Sequence, residues 1–218
     1  MAKERERGFY DVTDETKKAK STFREYAEAI SMALLLALFI RTFIVQAFKI
    51  PSGSMIPTLE IGDHILVNKL AYGVRIPFWD HYLVEFKRPR RGDVVVFIFP
   101  EDRSKDFIKR VVGVAGDQVE IRGKKIYING KPVDDPHAHF EGEEGHGAGV
   151  RVRDDYGPRQ VPANHIFVMG DNRDRSYDSR FWGFVNLAEV KGKAFLIYWS
   201  WDGNDRWVRW ERLGDIIY

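Results

Sequence analysis

The sequence contains no cysteine. The protein therefore has no disulfide, no thiolate metal ligand and no cysteine nucleophile, and cysteine usage does not indicate a compartment. A concentrated basic patch is also missing, because 34 Lys and Arg nearly balance 32 Asp and Glu along the 218 residues, leaving a net charge of +2. This even distribution argues against a nucleic-acid partner.

Long apolar runs are scarce, with one exception. Charged residues make up 30% of the chain, which argues against several membrane spans and is compatible with one sizeable domain. From Ala27 to Ala47 the sequence is apolar apart from Glu28, Arg41 and Gln46. About 21 helical residues at ~1.5 Å each span the roughly 30 Å hydrocarbon layer, and Arg41 lies near the far end, where it can reach the headgroups. We predict a transmembrane helix over residues 26–47.

The basic residues around this segment predict its orientation. Seven Lys and Arg precede it in the polar tail of residues 1–25, whereas the 20 residues after Ala47 contain only Lys49. The positive-inside rule therefore predicts a cytoplasmic tail and an extracytoplasmic domain over residues 48–218. Two alternatives are a cleaved secretory signal, which lacks a well-placed small-x-small pair here, and a buried helix of a soluble fold, which the all-round apolar surface disfavours.

Beyond residue 60 the apolar residues follow the two-residue period of strands. Runs rich in Val, Ile, Phe and Tyr, separated by Gly-containing turns, predict strands at His64–Lys69, Asp93–Phe99, Phe107–Val114, Gln118–Arg122, Lys125–Gly130, His165–Gly170 and Lys193–Trp201. Arg122-Gly123-Lys124 and Asn129-Gly130 suggest short hairpin connections. The fold class is therefore mainly β, with antiparallel pairing.

Residues 132–160 are rich in Gly, Pro and acids and predict a long surface loop or small insertion. The loop contains residues of metal-ligand type: His137, His139, His146, Glu141, Glu143 and Glu144. Their spacing matches no known ligand frame, and flexible acidic loops often contain histidines. We therefore predict no metal site.

The stretch Ile50–Leu59, IPSGSMIPTL, suits neither a helix nor a strand. Pro51 and Pro57 remove backbone donors and Gly53 permits unusual φ/ψ values, so the stretch predicts an exposed turn. A serine on such a turn can be a nucleophile if a base lies within hydrogen-bond reach and donors await the oxyanion. The alternative is a Ser/Pro linker that leaves a membrane anchor.

The pattern alone does not settle which base would serve the serine. None of the six histidines is singled out by its position. Lys109 is flanked by apolar residues in FIKRVVGV, and burial on an inner strand would lower its pKa and leave a neutral amine that accepts the serine proton. The alternative places Lys109 on the solvent face of an edge strand, and this stretch alone favours that alternative.

Three motifs in this order after an apolar segment resemble the bacterial type I signal peptidase family: PSGSMIPTL, FIKRVVGVAGD and GDNRDRSYDSRFWGFV. Ala115 is a departure, because the family more often has proline there, but it lies on a turn away from the implied chemistry. The resemblance implies two antiparallel β-sheets and an apolar surface near the active site that rests on the membrane. Four tryptophans would suit either that surface or core packing: Trp199, Trp201, Trp207 and Trp210.

The resemblance implies a catalytic role for three matched residues. Ser54 would be the nucleophile and Lys109 the general base, in a Ser-Lys variant of the serine-protease triad. The backbone amide of Ser54 and the hydroxyl of Ser52 would form the oxyanion hole.

Further roles follow from the same resemblance. Ser176 would orient the lysine amine, and Asp178 and Arg180 would form a supporting ion pair beneath the site. Shallow pockets for small substrate side chains would be lined by Phe48, Ile50, Pro51, Met55 and Ile108.

The function implied is that of a serine endopeptidase in the bacterial plasma membrane, without a cofactor, that cuts signal peptides from secreted preproteins after small-x-small sequences. Its partners would be these preproteins and membrane lipid; the oligomeric state stays open, with a monomer expected. One rival is a self-cleaving Ser-Lys regulator of the SOS-repressor type, which needs an Ala-Gly site ahead of its serine, whereas Ala115-Gly116 follows Lys109. A membrane-anchored β-module that only binds a partner would leave Lys109 and the DNRDRSYDSR run unexplained.

Overall fold

The structure is a computed structural model that describes residues 22–75, 82–142 and 153–218. It begins with helix α1, Thr22–Phe43, in which no side chain is buried. At ~1.5 Å per residue this helix is about 33 Å long, and its length and apolar composition are sufficient to cross a membrane. The chain divides into two compact units after Leu38, so that the helix up to that residue and the β domain from Phe39 are separate bodies.

The membrane helix ends earlier than the sequence predicts. It stops at Phe43 instead of residue 47, and Val45–Lys49 forms a strand that pairs antiparallel with Asp63–Asn68. The carbonyl of Ile44 accepts a hydrogen bond of 2.9 Å from the amide of Lys69, which begins this pairing. Apolar content alone did not distinguish the last turn of a helix from an apolar strand that follows it directly.

In the described ranges, the β domain contains fourteen strands and short helical segments. The strands are β1 Val45–Lys49, β2 Asp63–Asn68, β3 Gly73–Arg75, β4 Tyr82–Glu85, β5 Val94–Ile98, β6 Asp106–Val114, β7 Gln118–Arg122, β8 Lys125–Ile128, β9 Lys131–Pro132, β10 Tyr156–Gln160, β11 His165–Met169, β12 Val185–Asn186, β13 Val190–Asp202 and β14 Trp207–Val208. Helix α2 spans Ser179–Trp182. Single 3₁₀ turns lie at Gly53–Met55, Leu187–Glu189 and Trp210–Arg212.

These strands form two principal sheets and one hairpin, all with antiparallel pairing. The larger sheet has the order β1-β2-β13-β5-β6-β11-β12, with β14 paired to β13. The smaller sheet has the order β10-β7-β8-β9, and β3 pairs with β4 alone. The mainly β fold class with antiparallel sheets is confirmed.

Strand β5 shows why the centre of the larger sheet holds together. It lies between β13 and β6, and both of its faces are covered. Val94 and Val96 pack into one apolar cluster, while Val95 and Phe97 pack into a second. The two-residue period of a strand thus directs one continuous apolar run into two cores.

A third core joins the two sheets. Val119, Ile121 and Ile126 of the smaller sheet pack with Phe167 and Met169 of β11. Gly123 and Lys124 both have positive φ, at 53° and 68°, in the tight turn between β7 and β8. The predicted hairpin connection there is confirmed.

The predicted 132–160 loop is shorter than expected, because its last residues, Tyr156–Gln160, form β10 and pair with β7. Residues Glu143, Glu144 and His146 lie outside the described part of the chain. Within the described ranges, no three His, Asp or Glu side chains gather as a metal site.

The four tryptophans do not all belong to the core. Trp201, Trp207 and Trp210 are 41%, 66% and 59% exposed, which rules out core packing for these three. Trp199 is half-buried and contacts the Trp210 ring edge-on, with 6.3 Å between ring centroids.

Candidate active site

The serine stretch is a packed turn. Ser54 lies in the 3₁₀ turn Gly53–Met55 and is only 8% exposed, and Met55 and Leu59 are buried in the core. The amide of Leu59 donates to the carbonyl of Met55 at 2.9 Å. The alternative of a Ser/Pro linker is therefore wrong, because the core fixes this segment on both sides of the serine.

Lys109 lies on β6, and its side chain is aimed at the serine. Its amine donates hydrogen bonds to the Ser54 hydroxyl at 2.7 Å and to the Ile108 carbonyl at 2.9 Å. The residue is 4% exposed, and β6 is flanked by β5 and β11. The edge-strand alternative is therefore wrong: a sequence window does not reveal which strands become internal.

Burial lowers the pKa of Lys109 from its ordinary 10.5 to about 8. Desolvation is the largest cause, because a charged ammonium is disfavoured where water cannot reach it. Asp178 and Asp171 act in the opposite direction by favouring the charged form, and Arg180 adds to the lowering. A substantial fraction of the amine is thus neutral in mildly alkaline solution, and a neutral amine can accept a proton.

No histidine takes this position in the described part of the site. The side chain of His64 is within 3.2 Å of the Gly62 carbonyl, and that of His165 is within 2.8 Å of the Ala163 carbonyl. The described lining of the cleft around Ser54 contains Lys109 and no histidine.

Asp178 and Arg180 form a buried bidentate ion pair. The guanidinium donates to the two carboxylate oxygens at 2.8 and 2.9 Å, and neither side chain is more than 2% exposed. Asp178 also caps α2 and accepts a hydrogen bond of 3.0 Å from the Gly170 amide. The remaining guanidinium donors bond to the carbonyls of Arg173 and Arg153, so the buried charges are satisfied.

Ser176 contacts the site through the backbone of Gly170. Its hydroxyl accepts a hydrogen bond of 3.2 Å from the Gly170 amide. The Lys109 amine bonds to Ser54 and to the Ile108 carbonyl, with no hydrogen bond to Ser176 in the described structure. The orienting role of Ser176 therefore stays a prediction.

Glycine at position 170 is required by close packing. A Cβ there would lie 2.3 Å from the Ser176 hydroxyl and 2.4 Å from the Ser54 carbonyl. These distances are shorter than any van der Waals contact. Gly170 therefore lets the DNRDRSYDSR segment pack against the backbone of Ser54.

A second buried ion pair was missed by sequence analysis. Arg110 donates to the two oxygens of Asp171 at 2.8 and 2.7 Å, and the Thr58 hydroxyl donates to the same carboxylate at 2.6 Å. Asp171 therefore joins the strand of Lys109 to the turn of Ser54. One sequence signal could have indicated this pair: a second basic residue, Arg110, directly follows Lys109 in an apolar strand.

The cleft beside Ser54 has a volume of about 470 Å³. Residues 106–108 of β6 form one wall, and this end of β6 pairs with β5 but extends beyond the register with β11. Its other edge is therefore unpaired in the described structure. An extended peptide can add to such an edge.

The structure divides the predicted pocket residues into two groups. Pro51 and Ile108 line the cleft. Ile50 and Met55 are only 2% and 1% exposed and belong to the core below it, with Phe48 partly buried against the same core. They are not among the residues that line the described cleft, and their assignment as substrate contacts stays a prediction.

The 132–160 loop reaches the cleft through Glu141 and is bonded to residues 171–175. The His139 amide donates to the Asp171 carbonyl at 2.8 Å, and Glu141 accepts a hydrogen bond of 2.6 Å from the Asn172 side chain. Glu141 also pairs with Arg175, and all three side chains Glu141, Asn172 and Arg175 line the cleft. These polar rim residues carried no separate signal in the sequence.

Comparison with known proteins agrees with this geometry. The family model described as "Signal peptidase, peptidase S26" matches residues 23–199. Signal peptidase I of Pseudomonas aeruginosa is 40% identical over 212 residues, covering 81% of this chain and 72% of that protein. Signal peptidase I of Bacillus licheniformis is 36% identical over 188 residues, covering 86% of this chain and 94% of that protein. A crystal structure of a signal peptidase I from Enterococcus faecalis is 31% identical and covers 50% of this chain, with a TM-score of 0.41.

The chain has an antiparallel β domain and an apolar amino-terminal helix, and the family model that matches it describes peptidases. Together these findings define the class of membrane-anchored serine peptidases. Within that class, the chain belongs to the signal peptidase family, peptidase S26. Members of this family remove signal peptides from secreted preproteins.

The buried lysine predicts a pH-dependent effect on stability. Below about pH 8 the Lys109 amine is charged in both the folded and the unfolded chain, so the folded state bears the full cost of desolvating the ammonium. Between about pH 8 and pH 10.5 the folded chain carries the neutral amine, and this cost to stability declines as the pH rises. Above pH 10.5 the amine is neutral in both states and the cost is absent. Lys109→Met should therefore raise the free energy of unfolding at pH 7 by up to roughly 3 kcal/mol, and the gain should shrink toward pH 10. Urea unfolding at both pH values measures this.

The matched control is Lys125→Met, because Lys125 is exposed on β8. That substitution should change stability little at either pH. A Lys109→Met protein that is less stable than the parent at pH 7 would contradict the assignment of a destabilised, lowered-pKa lysine.

Proposed function

We propose that Ser54 and Lys109 are the catalytic dyad with which this peptidase cuts signal peptides from secreted preproteins. The observation that carries the proposal is the 2.7 Å hydrogen bond between a buried amine and a buried serine hydroxyl at the cleft. A nucleophile and its base within hydrogen-bond reach are the requirement for serine activation.

In the first step, the neutral Lys109 amine removes the hydroxyl proton as the Ser54 oxygen attacks the scissile carbonyl. The resulting oxyanion accepts hydrogen bonds from the Ser54 amide and the Ser52 hydroxyl. Two observations support Ser52: its side chain lines the cleft, and its hydroxyl makes no capping bond to the 3₁₀ turn.

In the second step, the Lys109 ammonium gives its proton to the leaving amine, and the C–N bond breaks to leave an acyl-enzyme. The lysine, neutral again, then removes a proton from water, which attacks the ester. The Ser54 oxygen recovers its proton from the lysine as the signal peptide is released as a carboxylic acid. One amine thus serves as base and acid in both halves.

The substrate backbone is proposed to extend along β6. The unpaired edge at residues 106–108 offers backbone groups to an extended chain, and it leads directly to Lys109. Because Ile50 and Met55 pack the serine turn onto the core, the turn cannot move aside for a large group, and only small side chains should fit next to Ser54.

The catalytic domain is proposed to lie outside the plasma membrane, with α1 as a single span. The seven basic residues before or within the start of this span, against Lys49 alone in the 20 residues that follow residue 47, support this orientation.

Substitution of the base should abolish cleavage. We expect Lys109→Arg to be as inactive as Lys109→Ala, because a guanidinium stays protonated and cannot accept the serine proton. Ser54→Ala should be equally inactive, and the double variant no worse, since the two residues act as one unit. In the parent, the cleavage rate should rise with pH through the lowered lysine pKa of about 8. The measurement is preprotein cleavage against pH.

Ser176→Ala is the comparison within the same site and should be much milder if its hydroxyl only orients the amine. Circular dichroism checks that each variant is folded. Near-normal cleavage by a folded Lys109→Arg protein would rule out lysine as the base.

Substrate specificity should follow from the shallow cleft. Phe or Trp at the first or third position before the cut should block cleavage, because a large side chain cannot enter a rigid, closed pocket. The same substitution at the second position is the control and should be tolerated. Sequencing the new amino terminus identifies the cut, and efficient processing of the Phe variants would contradict the pocket assignment.

The orientation predicts the result of proteolysis on intact spheroplasts. Added protease should degrade the β domain while a cytoplasmic marker protein stays intact. Full protection of the chain until detergent is added would refute this topology.

A further inference from the structure

We propose that Arg212 is a positioning residue that holds the turn of Ser54 in register with Lys109. This inference rests on the dyad proposed above. Arg212 belongs to what we call the arginine turn, residues 209–212, which follows β14. The family match ends at residue 199, so these arginines lie beyond the matched range.

Arg212 binds directly to the segment that follows the nucleophile. Its guanidinium donates to the Thr58 carbonyl at 3.1 Å and to the two oxygens of Asp63 at 3.1 and 2.6 Å. The side chain of Arg212 is 14% exposed, and Asp63 is fully buried. A fork of donors thus fixes two points of residues 58–63 at once.

The same segment is also held from the other side. The Thr58 hydroxyl donates to Asp171 at 2.6 Å, and Asp171 pairs with Arg110, the neighbour of Lys109. Thr58 is therefore bound through its hydroxyl to the strand of the base and through its carbonyl to Arg212. With both bonds present, the segment from Ser54 to Leu59 has little freedom to move Ser54 away from the amine.

The arginine turn is itself anchored on the rigid central strand β13. The Arg209 amide donates to the Ser200 carbonyl at 3.1 Å, and the Gly214 amide donates to the Ile197 carbonyl at 2.9 Å. Ser200 also donates to Asp63 at 2.7 Å. Because β13 pairs with both β2 and β5, the arginine turn has a fixed position on the larger sheet. Its bonds to residues 58–63 therefore hold the serine turn in a fixed position relative to that sheet.

Arg209 binds the same segment farther from Ser54 along the chain. Its guanidinium donates to the Ile61 carbonyl at 3.2 Å and to Asp202 at 3.1 Å, and it lies 3.3 Å from Glu60 and 3.7 Å from Asp63. The hydrogen bond to the Thr58 carbonyl, which is nearer to Ser54 in the chain, comes from Arg212. The assignment to the nucleophile therefore applies to Arg212.

The test is the kinetics of Arg212→Gln at a temperature at which parent and variant are both fully folded. A misplaced nucleophile slows chemistry without changing substrate affinity, so kcat should fall about ten- to a hundredfold while KM stays within about twofold. A parental kcat would overturn the inference. A raised KM with unchanged kcat would also overturn it, because the turn would then act on substrate binding.

Arg91→Gln is the matched control for a merely structural loss. Arg91 also forms a bidentate pair with a carboxylate, that of Asp117, away from the cleft, although its side chain is more exposed than that of Arg212, at 43% against 14%. Arg91→Gln should leave kcat unchanged, and urea unfolding of both variants measures how far each loses stability. If kcat falls equally in both variants, general destabilisation accounts for the effect and the inference is wrong.

Arg212→Lys is the second variant, for use also if Arg212→Gln does not fold. A lysine keeps the charge beside Asp63 but cannot bind the carboxylate and the Thr58 carbonyl as a fork. Its kcat should be intermediate, and a parental kcat would overturn the inference. Ser54→Ala separates the two proposals: retained activity in that variant refutes the dyad itself, whatever the result at Arg212.

Discussion

The hydrogen bond between the Lys109 amine and the Ser54 hydroxyl sets the main requirement that the fold of this domain must meet, because both groups have to be kept away from water. A primary amine is a useful base near neutral pH only where water is excluded, and exclusion of water costs stability because the ammonium loses its hydration. The fold meets this condition by placing Lys109 on an internal strand, with Asp171 and Asp178 close enough to limit the depression of its pKa. The pKa of Lys109, about 8, is therefore set by two opposed effects: burial lowers it, and the two carboxylates raise it.

The buried carboxylates have a second effect, which is to join separate parts of the site. Asp171 connects Arg110 on β6 with Thr58 in the serine turn, and Asp178 connects Arg180 with the Gly170 amide. Each pair has its charges and lone pairs satisfied by further hydrogen bonds, which is the condition under which a buried ion pair is tolerated. The dense charges of GDNRDRSYDSR are thus internal connections of the site, unlike the solvated charges typical of a polar loop.

The cleft combines a rigid catalytic side with an open strand edge. Ile50 and Met55 pack the serine turn onto the core, so the turn cannot yield to a large side chain without loss of packing. The free edge of β6 offers backbone hydrogen bonds that any extended sequence can make. Under the proposed function, backbone contacts would bind preproteins of different sequence, and the rigid wall beside Ser54 would admit only small side chains.

The sequence by itself determined the apolar helix, the mainly β fold and the three motifs that contain Ser54, Lys109 and the Asp178–Arg180 pair. These features depend on residues close together in the chain, where period, turn residues and motif spacing are informative. The tertiary structure was needed to show that β6 is internal, that Val45–Lys49 is a strand, and that Arg110 pairs with Asp171 and Arg212 with Asp63. The burial of Lys109 and the ion pair of Arg110 depend on contacts across more than fifty residues of sequence, and the partner of a strand is likewise a separate segment, which a local pattern does not contain.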